Sequence, residues 1–220
     1  MRKALLILEK DLRTELRAKD ILTAMAYFSL LVLIVFNFAI DLRDVRIDAI
    51  APGILWVCFA FAGVLGLNRT FVREQERNAI EGLMLCPIDR STIYLGKFVG
   101  NVVFMLIVEA LTVPIFLLLF NLTAVGWGLV PALLLGTVGF AALGTLFAAL
   151  AVNTRTREVM LPVLLFPIII PIVIAAVKAT GFAIGTIAPD LAIPWLNLMM
   201  VFDLVFVVIS YLIFGYVLEE

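Results

Sequence analysis

Two acids stand inside long apolar runs of this 220-residue chain, Glu109 and Asp203. A carboxylate at the centre of a bilayer costs about 2.5–3.5 kcal/mol on insertion scales if the Asp value is the guide, so each should face a bundle interior or carry a proton. Glu109 lies twelve residues after Lys97, about 18 Å of helix, which sets it near the midplane. Its chemistry is open between a pathway or gating contact, with Asn101 as a same-side partner two turns away, and an interhelical hydrogen bond. Asp203 is expected about two turns into the last apolar run. The chain contains no His, which removes imidazole ligation of haem, His-containing zinc sites and Ser-His-Asp or Cys-His nucleophiles. It also lacks a Gly-x-x-x-x-Gly-Lys-Ser/Thr sequence, so it is not a phosphate-loop ATPase. Cys58 falls in an apolar run and Cys86 in a polar loop; no disulfide is expected, and both read as packing or surface thiols. No catalytic or metal-ligating set emerges, and an enzyme is the least expected class.

The elements that must hold these residues are apolar helices. With 64% hydrophobic and 15% charged residues and a mean hydropathy of +1.17, most of the chain needs lipid as its solvent. Six runs reach the roughly 20 residues that a spanning helix requires: residues 21–40, 50–68, 98–120, 128–152, 159–177 and 198–217. Long apolar runs, rather than alternating ten-residue strands, predict an all-α integral membrane bundle. Thirteen Lys and Arg fall on one side of these spans: Arg2, Lys3, Lys10, Arg13, Arg17, Lys19, Arg69, Arg73, Arg77, Arg90, Lys97, Arg155 and Arg157. Arg43, Arg46 and Lys178 fall on the other. The bias predicts both termini in the cytoplasm. No cleavable signal peptide is expected, because the first twenty residues are highly charged.

Residues 1–20 place Leu5, Leu8, Leu12 and Leu16 at helical spacing among Lys and Arg, an amphipathic helix expected on the membrane surface with its cations at anionic headgroups. Residues 21–220 form the six-span domain. Pro52 is expected in the first turn of the second span, and Trp56 near the outer interface. Residues 69–92 form the longest internal polar stretch, in which 70–85 can make a membrane-parallel helix ended by Pro87, with a mixed-charge docking surface. Pro114 is expected to kink the third span, and Pro162, Pro167 and Pro171 to kink or break the fifth, a candidate moving part. Small residues of the fourth span, Gly136, Gly139 and Gly144 among them, allow close helix approach. Residues 178–197 should form short re-entrant or interfacial helices, with Trp195 at the outer interface.

The run Ile50-Ala51-Pro52-Gly53-Ile54-Leu55-Trp56-Val57, the region 69–100 with Glu81-Gly82-Leu83-Met84-Leu85-Cys86-Pro87 and Leu95-Gly96-Lys97, and Leu161-Pro162 with Pro167 and Pro171 together resemble the CcmB family of haem-exporter membrane subunits, within the ABC-2 type permeases. Length, span number and topology agree over essentially the whole chain. Many ABC-2 relatives have Gly where this chain has Asn78, which bears on the local geometry of the docking helix. The resemblance implies that residues 1–20 are an elbow helix. It also implies that Arg73, Glu74, Arg77, Glu81, Leu83, Leu85 and Pro87 couple to a separate CcmA-type ATPase. Further implied partners are a CcmC-type haem-handling protein, a CcmD-type small subunit and a CcmE-type haem chaperone, in the bacterial cytoplasmic membrane. Haem would be cargo rather than a bound cofactor, ATP would be used by the partner, and two copies would pair with two ATPases. Two other readings stand beside a haem-delivery permease: a non-conducting scaffold of the haem-handling complex, and an ABC-2 permease for lipid, polysaccharide or drug.

Overall fold

The computed structural model describes residues 2–40, 46–76, 89–122, 125–152, 154 and 157–217. Among these residues the secondary structure is wholly helical: α1 (Arg2–Ala18), α2 (Asp20–Ala39), α3 (Ile47–Glu76), α4 (Arg90–Leu119), α5 (Leu129–Val152), α6 (Arg157–Ile184) and α7 (Pro189–Val217). Six of them, α2 to α7, are long and apolar enough to cross a membrane, as the apolar runs predict.

Burial sorts the spans into centre and rim. The apolar windows of α3 and α5 are 72% and 67% buried, against 22% for α2 and α7. Small residues explain how α5 reaches the centre. A Cβ at Gly136 would collide with the Trp56 ring, and one at Gly139 would collide with Ile172 Cδ1 and Asp203 Oδ1. α6 offers a regular inward stripe, Leu161, Leu165, Ile169, Ile172, Ala176 and Ala179, each fully or nearly fully buried, at the three-to-four-residue spacing of one helix face. It ends where Gly185 takes φ +86° and the Thr186 N–H donates to Gly181 O at 2.9 Å, a six-to-one closure that glycine permits.

The helices run further than the apolar runs suggested. α3 continues through Arg69 to Glu76, so residues 70–76 extend a span instead of opening a separate surface helix. No Gly or Pro interrupts them, and the buried Thr70 hydroxyl bonds back to Gly66 O at 3.0 Å. α4 begins at Arg90 rather than near 98, with Ile93, Tyr94, Gly96 and Lys97 already buried. Pro52 lies in the second turn of α3 instead of the first, because the helix starts at Ile47. The separate short helices expected over 178–197 are absent: α6 runs on to Ile184 and α7 starts at Pro189. α6 is also one unbroken helix through Pro162, Pro167 and Pro171. Its prolines avoid the inward stripe, Pro167 and Pro171 being exposed and Pro162 half-buried, so the packed face stays regular.

Candidate functional site

The inner face of α4 carries a line of buried polar side chains: Lys97, Asn101, Glu109 and Thr112. Their spacing of mostly four or eight residues keeps them on one side of the helix, and three of them meet a named partner on a neighbouring helix. Lys97, 1% exposed, donates from Nζ to Asp11 Oδ2 of α1 at 2.8 Å. A buried ammonium is tolerable only when paired in this way. Beside it, Gly96 lets α1 come close, since a Cβ there would meet Ile7 Cβ at 2.8 Å. One helical turn further along α1, Glu15 Oε1 accepts from the backbone N–H groups of Ile21 and Leu22 at 2.7 and 3.0 Å. It thereby satisfies donors that the first turn of α2 cannot use internally. Through Asp11 and Glu15, α1 ties the adjacent ends of α4 and α2 together.

Deeper in the bundle, Asn101 Nδ2 donates to Thr145 Oγ1 at 2.9 Å, and the Thr70 hydroxyl lies 3.2 Å from Asn101 Oδ1. The Thr137 hydroxyl donates to Glu109 Oε1. Asn101 and Glu109 are eight residues apart on α4, and Thr145 and Thr137 are eight apart on α5. The two rungs therefore belong to one antiparallel register, about 12 Å apart along the helices. A cavity of about 10 Å³ lies beside the Asn101 rung, lined by Thr70, Asn101, Met105, Gly63, Gly66 and Met25 among others, room for about one water.

Further side-chain bonds cross the same boundary. Trp56 Nε1 donates to Thr180 Oγ1 at 2.9 Å, Tyr94 OH to Ala142 O at 3.2 Å, and Arg90 to Gly215 O at 3.2 Å. Each joins a residue of α1–α4 to a residue of α5–α7. Together these bonds form a hydrogen-bonded seam that links α3 and α4 to α5, α6 and α7. Trp56 is the clearest correction here. It is 3% exposed, its ring fills the space over Gly136, and it is a seam residue rather than an interface anchor.

Of the predicted intramembrane polar residues, Asn101 and Glu109 do share a face, but each bonds to α5 and neither to the other. Asp203 lies fourteen residues into α7, about four turns rather than two, and among the described residues neither carboxyl oxygen has a hydrogen-bond partner. It packs over Gly139 beside Ile172. Pro114 is exposed within α4. Arg73 and Glu74 belong to the last turns of α3, while Arg77, Glu81, Leu83, Leu85 and Pro87 lie outside the described residues. Sequence reading missed Asp11, Glu15, Lys97, Thr137, Thr145 and Thr180 as seam or clasp residues. One signal was available: Ile7, Asp11 and Glu15 share a helical stripe, an arrangement of acids that a helix facing only lipid would not hold inward.

These features define a class, a multi-pass α-helical membrane protein built from six spans and one short amphipathic helix. The chain belongs to the CcmB protein family, which it matches over residues 2–219. It is 31% identical over 171 residues to the heme exporter protein B of Haemophilus influenzae, covering 77% of each chain. It is 32% identical over 179 residues to that of Paracoccus denitrificans, covering 80% of this chain and 81% of the relative. With the heme exporter protein B of Rhodobacter capsulatus the identity is 30% over 169 residues, covering 76% and 78%.

Proposed function

We propose that this chain is the membrane subunit of a haem-exporting assembly that serves cytochrome c maturation. The observation that carries the reading is the family match from residue 2 to residue 219, together with relatives named heme exporter protein B. With no phosphate-loop sequence in the chain, hydrolysis of ATP belongs to a separate CcmA-type subunit. That subunit acts on the last turns of α3, with Arg73 and Glu74, and on the residues that follow it in sequence, Arg77, Glu81, Leu83, Leu85 and Pro87. The CcmC-, CcmD- and CcmE-type proteins are the remaining partners, and haem is the cargo that the assembly hands to the chaperone. Both termini lie on the cytoplasmic side of the bacterial inner membrane in this reading, an orientation that the Lys and Arg bias supports.

The seam supplies a mechanism for this reading. A push on the segment between α3 and α4 enters two helices that already face α5 and α6 through polar rungs. α1 carries the same push to α2 through Asp11 and Glu15. Reversing the charges of Arg73, Arg77 and Glu81 is expected to abolish co-purification of the ATPase and the build-up of c-type cytochromes. Unchanged complex and unchanged cytochromes in that variant would sink the proposal. A second reading, a non-conducting scaffold, draws support from Glu109, which is 3% exposed and bonded to Thr137, the condition of a packing residue. Glu109→Gln separates the two. Normal maturation with normal assembly favours the scaffold, and loss of maturation from an intact complex favours a moving or conducting role.

A further inference from the structure

The joint where α3, α4 and α5 meet leaves part of its hydrogen-bonding capacity unfilled. Thr70 of α3, Asn101 of α4 and Thr145 of α5 are all buried. The Thr70 hydroxyl lies 3.0 Å from Gly66 O and 3.2 Å from Asn101 Oδ1, yet it carries one hydrogen and donates to one of them at a time. Asn101 Oδ1 therefore has at most one donor for its two lone pairs, and among the described residues nothing donates to Thr70 Oγ1 while the amide stands as drawn. With the amide turned over, its nitrogen would meet Thr70 and keep a second N–H without an acceptor. In either orientation the edge of the amide beside Thr70 has a bond left to make.

Room for the missing group adjoins the same residues. The cavity of about 10 Å³ is bounded by Thr70 and Asn101, by Gly63 and Gly66, which bring no side chain, and by Met25 of α2 and Met105 of α4. Its size admits about one water and nothing larger. An apolar occupant would leave the lone pairs unfilled. No acid lines the cavity, so a cation would lack the countercharge that its burial requires. A small neutral molecule that both donates and accepts meets every condition, and water is that molecule.

We propose that this cavity is a binding site for one ordered water, which donates to Asn101 Oδ1 and Thr70 Oγ1 and becomes the fourth member of the Thr70–Asn101–Thr145 joint. A bridging water is nearly as good a partner as a direct bond. The contact between α3 and α4 can then lengthen, the water taking over from the Thr70 hydroxyl, without leaving a buried polar atom unpaired. The proposal is independent of the cargo and of the partner subunits.

The test uses the full chain in its native membrane with its co-produced partners. A brief X-ray pulse makes hydroxyl radicals from bound and bulk water alike, and a scavenger in the medium removes the bulk ones. A methionine sulfur beside a bound water then gains one oxygen, which peptide mass spectrometry reads. Met25 and Met105, both buried and both lining the cavity, are expected to be oxidised about tenfold faster than Met199. Met199 is fully buried on α7 and does not line the cavity. Thr70→Val and Asn101→Leu each take a partner from the water and are expected to lower both rates toward that of Met199. A variant that merely loosens the fold raises the rates, so loss of folding does not imitate this result. Equal rates at the three methionines in the unsubstituted chain, or rates at Met25 and Met105 that fall in neither variant, overturn the proposal.

Discussion

α4 and α7 are similar in length and apolar character, and each turns buried polar side chains inward, yet the two helices use them differently. On α4, Lys97, Asn101 and Glu109 reach Asp11, Thr145 and Thr137. On α7, Asp203 packs over Gly139 beside Ile172, and among the described residues neither of its oxygens has a hydrogen-bond partner. Glu109 and Asp203 address the same turn of α5 from opposite sides, through Thr137 and Gly139 respectively. The contrast shows that midplane acidity alone does not mark a working residue. An acid bonded through one oxygen, as Glu109 is, can help to link α4 to α5, whereas one with neither oxygen bonded to a described residue costs stability where it stands.

The largest effect should come from the best-bonded end of α4. Lys97→Met leaves Asp11 without its buried partner and is expected to destabilise by about 3 kcal/mol, the low end for breaking a buried pair. The lower figure is chosen because Lys10 still lies 3.2 Å from Asp11. Unfolding midpoints in detergent micelles measure it, and a loss near zero would dissolve the distinction between the two helices. Next, Gly139→Ala forces a Cβ into Ile172 and Asp203 and should cost about 1–3 kcal/mol. The loss should shrink when Asp203→Ala is added, since one of the two clashing groups is then gone. Thr137→Val removes the bond to Glu109 and should cost about 0.6 kcal/mol, at most about 1.7, the range for interhelical hydrogen bonds in a bilayer.

The spans were legible because hydropathy over twenty residues depends on composition alone, and α2 and α5 begin and end within one residue of expectation. Boundaries were less legible where polar residues stay helical. Ser91 and Thr92 open α4 although neither looks like a lipid-facing residue. Trp56 was misplaced because an indole suits both a wet interface and a buried seam with a hydroxyl to accept its N–H. Only the position of Gly136 and Thr180, more than 75 residues on in the chain, decides between them. The α4 polar line was readable in part, through Asn101 and Glu109, since helical spacing is local. Their partners on α5 were not, because antiparallel register between two apolar helices leaves no mark in either sequence.

The smallest expected effect is the most discriminating one. Asp203→Asn keeps the shape of the side chain over Gly139 and gives up no hydrogen bond to a described residue, so the unfolding free energy is expected not to fall, in contrast to the losses expected on α4. A clear loss of stability would mean that Asp203 has a partner after all and that α7 resembles α4. With stability unchanged, the level of c-type cytochromes becomes informative. A defect in maturation from an intact, normally stable chain would show that Asp203 gains a partner only in the assembled or moving complex. Normal maturation would leave the acid as a tolerated cost of packing α7 against the glycine of α5.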